Sequence, residues 1–189
     1  MATLARLRHP LALVGGRAVR TLEVAALESP IGPLGVAAED GVLVAVTFEG
    51  LAPLRAWGTR VLGPSTWAEA PDPAGVCTLL RRFFDGELDA LTAVPVRLHG
   101  TAFQRRTWEA LRRIPSGATW SYRRLAEELG DQRATRAVGA ANGQNPIPVV
   151  IPCHRVIGSD GSLTGCGGGL ERKRGLLQHE GALQPVLPL

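Results

Sequence analysis

The chain has 189 residues, with 45% hydrophobic and 20% charged side chains and a formal net charge of +4. That length allows one large domain or two small ones around a sizeable core. No apolar run approaches the roughly 18 residues that a membrane span requires, so a transmembrane protein is excluded.

Charge is distributed unevenly. Residues 1–20 carry four Arg and no acid, residues 21–100 carry five Arg against ten Asp and Glu, and residues 101–189 carry twelve Lys and Arg against seven acids. A polyanionic partner is therefore expected on the C-terminal half. Cys77, Cys153 and Cys166 are an odd number without a C-x-x-C pair, which argues against a disulfide framework and against a structural zinc site. A reducing cytoplasm fits this usage best.

The first twenty residues contain arginine and no acid, two features shared with mitochondrial transit peptides, whereas the apolar stretch Pro10 to Val14 is too short for a secretory signal. A disordered tail or an overlong start is the expectation. From Thr21 to Glu49, short apolar segments alternate with turn residues: Leu22–Leu27, Leu34–Ala38 and Val42–Phe48, separated by Ser29-Pro30-Ile31-Gly32-Pro33 and Asp40-Gly41. This pattern predicts an antiparallel meander with a hairpin at Asp40-Gly41. Residues 51–73 show no period and are expected to be loop. Val76, Leu79, Leu80 and Phe83 recur at helical spacing, and residues 91–98 are expected to return as a strand.

The pattern changes at His99-Gly100-Thr101. Phe103, Trp108, Leu111 and Ile114 mark a helix that carries Arg105, Arg106, Arg112 and Arg113 and stops at Pro115-Ser116-Gly117. Ser121 is placed as an N-cap for a short helix from Tyr122 to Leu129, Gly130-Asp131 closes it, and a second short helix follows from about Gln132 to Ala141. Two short helices across a tight turn are the pattern of a helix-turn-helix. The second offers Arg133 and Arg136 among the small residues Ala134, Ala137, Gly139, Ala140 and Ala141. Packing of small residues against the first helix explains the pattern equally well at this point.

The segment from Asn145 to Val156 delivers Cys153 beside His154 and Arg155, a neighbourhood of the kind that lowers a thiol pKa. Taken alone, a buried inert cysteine is the commoner meaning. The segment is accompanied by Gly100-Thr101-Ala102-Phe103-Gln104, Ile114-Pro115-Ser116-Gly117, Ser121-Tyr122, Arg136-Ala137-Val138-Gly139, Gly167-Gly168-Gly169 and His179-Glu180-Gly181. In this ordered set the chain resembles the O6-alkylguanine-DNA alkyltransferases, densely from Gly100 to Gly181 and more weakly at Ser29 to Leu34.

The resemblance implies an α+β fold. A small strand-rich domain with a helix spans 21–98, and a mainly helical domain with a winged helix-turn-helix-like motif spans 99–183, between tails at 1–20 and 184–189. It implies direct, stoichiometric transfer of an alkyl group to Cys153 from O6-alkylguanine in double-stranded DNA, with O4-alkylthymine as a further possible substrate. His154 would deprotonate Cys153 through a water while Glu180 fixes the imidazole tautomer, and Tyr122 would donate a proton to the leaving guanine. Asn145 would pin the turn before the active-site run. Arg136 would stabilise the gap left by a flipped nucleotide, with Arg133, Ala137, Gly139, Ser121 and Thr101 also on the DNA side. Val156, Cys166, Gly167 and Gly168 would line the substrate pocket.

His179, in a helix from Arg172, is expected at the surface. Three departures from the family stand out: Cys166 where an aromatic residue is usual, Thr107 where an aliphatic one is usual, and Gly175 inside a helix, costing about 1 kcal/mol relative to Ala. A monomer with no cofactor and no metal is expected. The competing classes are a damage-recognition protein without chemistry, against which Cys153 argues, and a thiol hydrolase, which leaves the helix-turn-helix unexplained.

Overall fold

The computed structural model of the chain describes residues 12–14, 17–165 and 167–184. An antiparallel sheet comes first: β1 (Ala12–Val14), β2 (Arg17–Leu27), β3 (Leu34–Glu39) and β4 (Val42–Phe48) pair in that order, and β5 (Ser65–Glu69) adds to β2 in parallel. Helices α1 (Leu51–Leu62) and α2 (Val76–Phe84) accompany the sheet. The remainder is largely helical: α3 (Ala102–Leu111), α4 (Tyr122–Glu128), α5 (Thr135–Gly143) and α6 (Leu170–His179), with a two-residue parallel pair of β6 (Trp120–Ser121) and β7 (Val156–Ile157). The fold is α+β, a strand-rich N-terminal part followed by a helical one.

The expected meander is present. Asp40 and Gly41 both have positive φ, as a two-residue turn must when its twist is to match the strands it joins. Three expectations in this half need correction. Strands occupy 12–14 and 17–20, so part of the expected tail belongs to the sheet.

Residues 51–73 are not loop, because α1 and β5 lie within them. Pro53 sits in the first helical turn, where its missing N–H costs nothing, and Gly58 is there because Trp67 of β5 packs on it: a Cβ at 58 would sit 2.4 Å from the indole. Leu54 closes a small core with Leu22, Val24, Ala37, Val44 and Ala45.

Residues 91–98 make no strand beyond a single bridge of Val96 to Leu43. Leu43 N–H donates to the Pro95 carbonyl and Arg97 N–H to the Leu43 carbonyl. Pro95 has no N–H with which to extend a ladder.

The main core runs through both halves, joining Leu34, Val36, Val46 and Phe83 to Trp108, Leu111, Leu125, Ile147 and Leu176. Thr101 and Gln104 form a reciprocal capping box at the start of α3, and Trp108 Nε1 donates to the Ala141 carbonyl at 2.8 Å, fixing α3 on α5. Arginines in and just after α3 serve the fold: Arg106 reaches the Leu129 carbonyl, Arg112 those of Thr92 and Val94, and Arg113 pairs with Glu128. Thr107 is fully buried and satisfied by the Phe103 carbonyl at 2.9 Å.

A candidate active site at Cys153

The segment between α5 and β7 is held by local hydrogen bonds. Asn145 Nδ2 donates to the Ile151 carbonyl at 2.8 Å, and its Oδ1 accepts from Ile147 N–H at 3.0 Å. Ile151 N–H reaches the Ile147 carbonyl, and Cys153 N–H that of Ile151. Within this knot Val149 has φ of 73°, a conformation costing of order 1–3 kcal/mol for a non-glycine residue, which persists only where its surroundings enforce it. The result is a rigid approach to the single 3-10 turn Cys153–Arg155.

All three residues of that turn are buried, Cys153 remaining 9% exposed. Behind it, His154 Nε2 lies 2.9 Å from Glu180 Oε1. Arg155 grips the same carboxylate with two bonds of 2.8 Å, from Nε to Oε2 and from Nη2 to Oε1, and also donates to the Ile114 carbonyl and Ser116 Oγ. Burial disfavours the Glu180 carboxylate, but hydrogen bonds from His154 and Arg155 outweigh it and hold its pKa at about 2. Burial pushes the His154 pKa below its ordinary value, against the pull of Glu180.

The pair is therefore an ionised carboxylate and a neutral imidazole. An ionised carboxylate only accepts hydrogen bonds, so the proton sits on Nε2 and the lone pair on Nδ1. That Nδ1 is buried and has no hydrogen-bond partner among the described residues. A base is thus oriented next in sequence to a thiol. Cys77, by contrast, is a plain core cysteine, its thiol pKa raised by burial.

Cys153 borders a cavity of about 290 Å³ with Asn142, Asn145, Pro148, Gly167 and Gly168 from the C-terminal half and with the end of β4 from the sheet. Of the expected pocket residues, Gly167 and Gly168 line it. Val156 does not: it is fully buried on β7, where its carbonyl accepts from Lys173 Nζ at 2.5 Å. Cys166 lies outside the described residues.

Tyr122 begins α4, and its hydroxyl donates to the carbonyls of Thr164 and Gly165 at 2.9 and 3.2 Å, closing the loop at 158–165 against the helix. Ser121 caps α4 by accepting from Arg124 N–H. Arg133, Arg136 and Ala137 are exposed on the turn and helix that follow, and a Cβ added at Gly139 would meet the Tyr122 ring at ordinary contact distance. Thr101 is exposed, but its hydroxyl is committed to the cap of α3.

Two residues, Lys173 and Asn142, were missed by the sequence reading, and a third, Arg155, was read there only as a neighbour of the thiol. Lys173 is fully buried and donates to the carbonyls of Val156 and Thr164. Arg155 is committed to Glu180, the Ile114 carbonyl and Ser116. Asn142 donates to the Cys153 carbonyl at 3.3 Å, while its Oδ1 is buried without a hydrogen-bond partner among the described residues. His179 is half-buried rather than on the surface, bonded to the Phe83 carbonyl at 2.8 Å. Among the described residues no group of three or more His, Cys, Asp and Glu could hold a metal ion, and no helix is long and apolar enough to cross a membrane.

Fold and site together define a protein with a buried, base-flanked cysteine set in a helical domain behind a sheet. Residues 102–182 match the model of the 6-O-methylguanine DNA methyltransferase DNA-binding domain. The methylated-DNA–protein-cysteine methyltransferase of Mycobacterium bovis is 44% identical over 163 residues, covering 85% of this chain and 93% of that protein. The enzyme of the same name from Shigella flexneri is 52% identical over 114 residues, covering 60% and 67%. A crystal structure of Mycobacterium tuberculosis OGT in complex with DNA superposes with a TM-score of 0.70 at 42% identity, covering 84% of this chain and 92% of that one. The chain belongs to the methylated-DNA–protein-cysteine methyltransferase family.

Proposed function

We propose that this protein repairs DNA by moving an alkyl group from O6 of guanine in a duplex to its own Cys153, once per molecule. The observation that carries the reading is the buried His154–Glu180–Arg155 network directly behind a cysteine that borders a cavity. His154 Nδ1 takes the thiol proton through one water, and Glu180 keeps the other ring nitrogen protonated. The thiolate Sγ bonds to the alkyl carbon as the C–O6 bond breaks, and the electron pair stays with guanine, which is protonated by the Tyr122 phenol. For this step the phenol exchanges the Thr164 carbonyl for the base. The thioether offers water no leaving group comparable to guanine, and neither cofactor nor metal enters the balance.

The guanine O6 inside a stacked duplex is out of reach of a buried sulfur, so the nucleotide is flipped out. The α4–α5 pair acts as the helix-turn-helix. Arg136 occupies the gap and Arg133 meets phosphate, while Ala137 and Gly139 allow close approach of the backbone. Ser121 and Thr101 flank this face as helix caps. Gly167 and Gly168 form one wall of the pocket, with Val156 and Lys173 supporting the loop before it. The chain divides into a sheet domain up to residue 98 and a catalytic domain over 99–183, and it acts as a monomer in a reducing cytoplasm, where Cys153 stays a thiol.

Intact-protein mass spectrometry after mixing with a duplex containing O6-methylguanine tests this. The expected result is a gain of one methylene, mapped to Cys153, and none in Cys153→Ser. Binding of the lesion without a mass gain would replace transfer by damage recognition.

A further inference from the structure

The cavity beside Cys153 is closed on its second side by the N-terminal sheet: Val46, Thr47, Phe48 and Glu49 at the end of β4, with Pro53 of α1. This wall is fastened to the active-site segment, because Val46 N–H donates to the Pro146 carbonyl at 2.9 Å. Phe48 is its large side chain. The ring presses on the backbone of Gly168, where a Cβ would sit 2.2 Å from Phe48 Cε2, and it lies 5.0 Å beneath the Arg172 guanidinium. Arg172 is itself tied to the carbonyls of Ile31 and Gly168 at 3.0 and 3.1 Å. Phe48 is thus clamped between a glycine and a fixed cation.

In displacement at a saturated carbon, the entering sulfur and the departing oxygen lie on one line. Anything larger than hydrogen on that carbon projects sideways, towards the walls of the pocket. The C-terminal wall combines the small surfaces of Gly143, Gly167, Gly168 and Pro148 with the polar side chains of Asn142, Asn145 and Arg172 and carries no aromatic ring among the described residues. The cavity, at about 290 Å³, lies just below the ~300–1,000 Å³ spanned by small-molecule pockets.

We infer that Phe48, contributed by the N-terminal sheet some hundred residues before the nucleophile, limits the size of the alkyl group that can be transferred: methyl and short chains fit, and a benzyl-sized group is hindered by the ring. The inference rests on the transfer reaction proposed above. Phe48 acts in it as a wall and takes no part in proton or electron movement.

Single-turnover transfer is measured by intact mass on the full chain, using two duplexes that differ only in O6-methylguanine or O6-benzylguanine. The readout is the ratio of benzyl to methyl rates. Phe48→Ala raises that ratio about tenfold or more, within the range by which a pocket discriminates on apolar bulk. Phe48→Leu raises it less, and Phe48→Trp lowers it. Opposite signs for smaller and larger side chains are what a merely structural role does not produce. If Phe48→Ala fails to fold, the Leu and Trp pair decides the matter by the same ratio. A ratio that stays level across the variants while methyl transfer persists overturns the role of Phe48. Absence of methyl transfer in the wild-type protein overturns the reaction itself.

Discussion

The two surfaces that would meet at a flipped base are built on opposite principles. Behind Cys153, every charge is buried and answered: Glu180 by His154 and Arg155, Lys173 by two carbonyls. On the turn and helix around α5, Arg133 and Arg136 stand exposed among small residues. A buried charge that loses its partner keeps its desolvation cost, whereas an exposed arginine has little desolvation to recover. Substitutions behind the cysteine should therefore unfold the protein as well as silence it, and substitutions on α5 should touch function alone.

The largest effect is expected at Glu180. Glu180→Ala leaves Arg155 buried without its counter-charge and should lower the unfolding free energy by about 3–5 kcal/mol, read from the urea midpoint. A loss under about 1 kcal/mol would mean that the network orients the imidazole without holding the fold. The same carboxylate predicts an acid dependence. Its folded pKa of about 2 lies below the ordinary 4.5, so its contribution is complete above pH 4.5 and is lost as pH falls from there towards 2.

That loss is on the order of 3 kcal/mol for a shift of this size. The lowered pKa of His154 acts in the same direction: below about pH 6.5 the unfolded chain takes up a proton that the buried imidazole refuses. Wild-type stability should thus begin to fall below pH 6.5 and steepen below 4.5. In Glu180→Gln the second segment should flatten while the first remains.

Lys173 tests whether the buried side extends to the loop at 158–165. Lys173→Met removes the donor to the Val156 and Thr164 carbonyls and should cost about 1–3 kcal/mol. Hydrogen exchange should quicken in that loop before it quickens in α3 or α5. Uniform quickening would make Lys173 a global support instead.

Arg136 tests the exposed side. Arg136→Ala should leave stability within about 0.5 kcal/mol and slow repair of the duplex by roughly tenfold, a fraction of the few kcal/mol that unstacking a base requires. Transfer from free O6-methylguanine, which needs no flipping, should proceed at the wild-type rate. A parallel loss with the free base would move Arg136 from DNA handling into the chemistry.

The same division explains what could be read from the chain. Features that a local backbone requirement imposes were legible: the Asp40-Gly41 turn, the Ser121 cap and the two short helices. Features made by partners far apart in sequence were not. Arg155 meets Glu180 after 25 residues and the Ile114 carbonyl after 41, and Lys173, on a helix rich in charge, reads as a solvated lysine. Helix α1 escaped notice because its contact face includes a glycine shaped by Trp67, so apolar periodicity is broken at the place where packing is tightest. Phe48 gave no sign of the cavity because the other wall lies in the other half of the chain.

Gly175 joins the two kinds of surface, since it lies in α6, the helix that carries Lys173 inward and leads to Glu180. Glycine in a helix interior costs about 0.5–1 kcal/mol relative to alanine, and a packing reason would normally have to justify it. None is present here: an added Cβ would meet Ile31 Cγ2 at 3.8 Å, an ordinary contact, with nothing else within 4 Å. Gly175→Ala should therefore raise the melting temperature by about 2–4 °C, the smallest of these effects and the one stabilising change. Because the new methyl faces the Pro30–Ile31 turn rather than the carboxylate, the rate of methyl transfer should stay at the wild-type value. A slower rate with a higher melting temperature would show instead that α6 must yield during the reaction, and that the rigidity behind Cys153 ends before this helix.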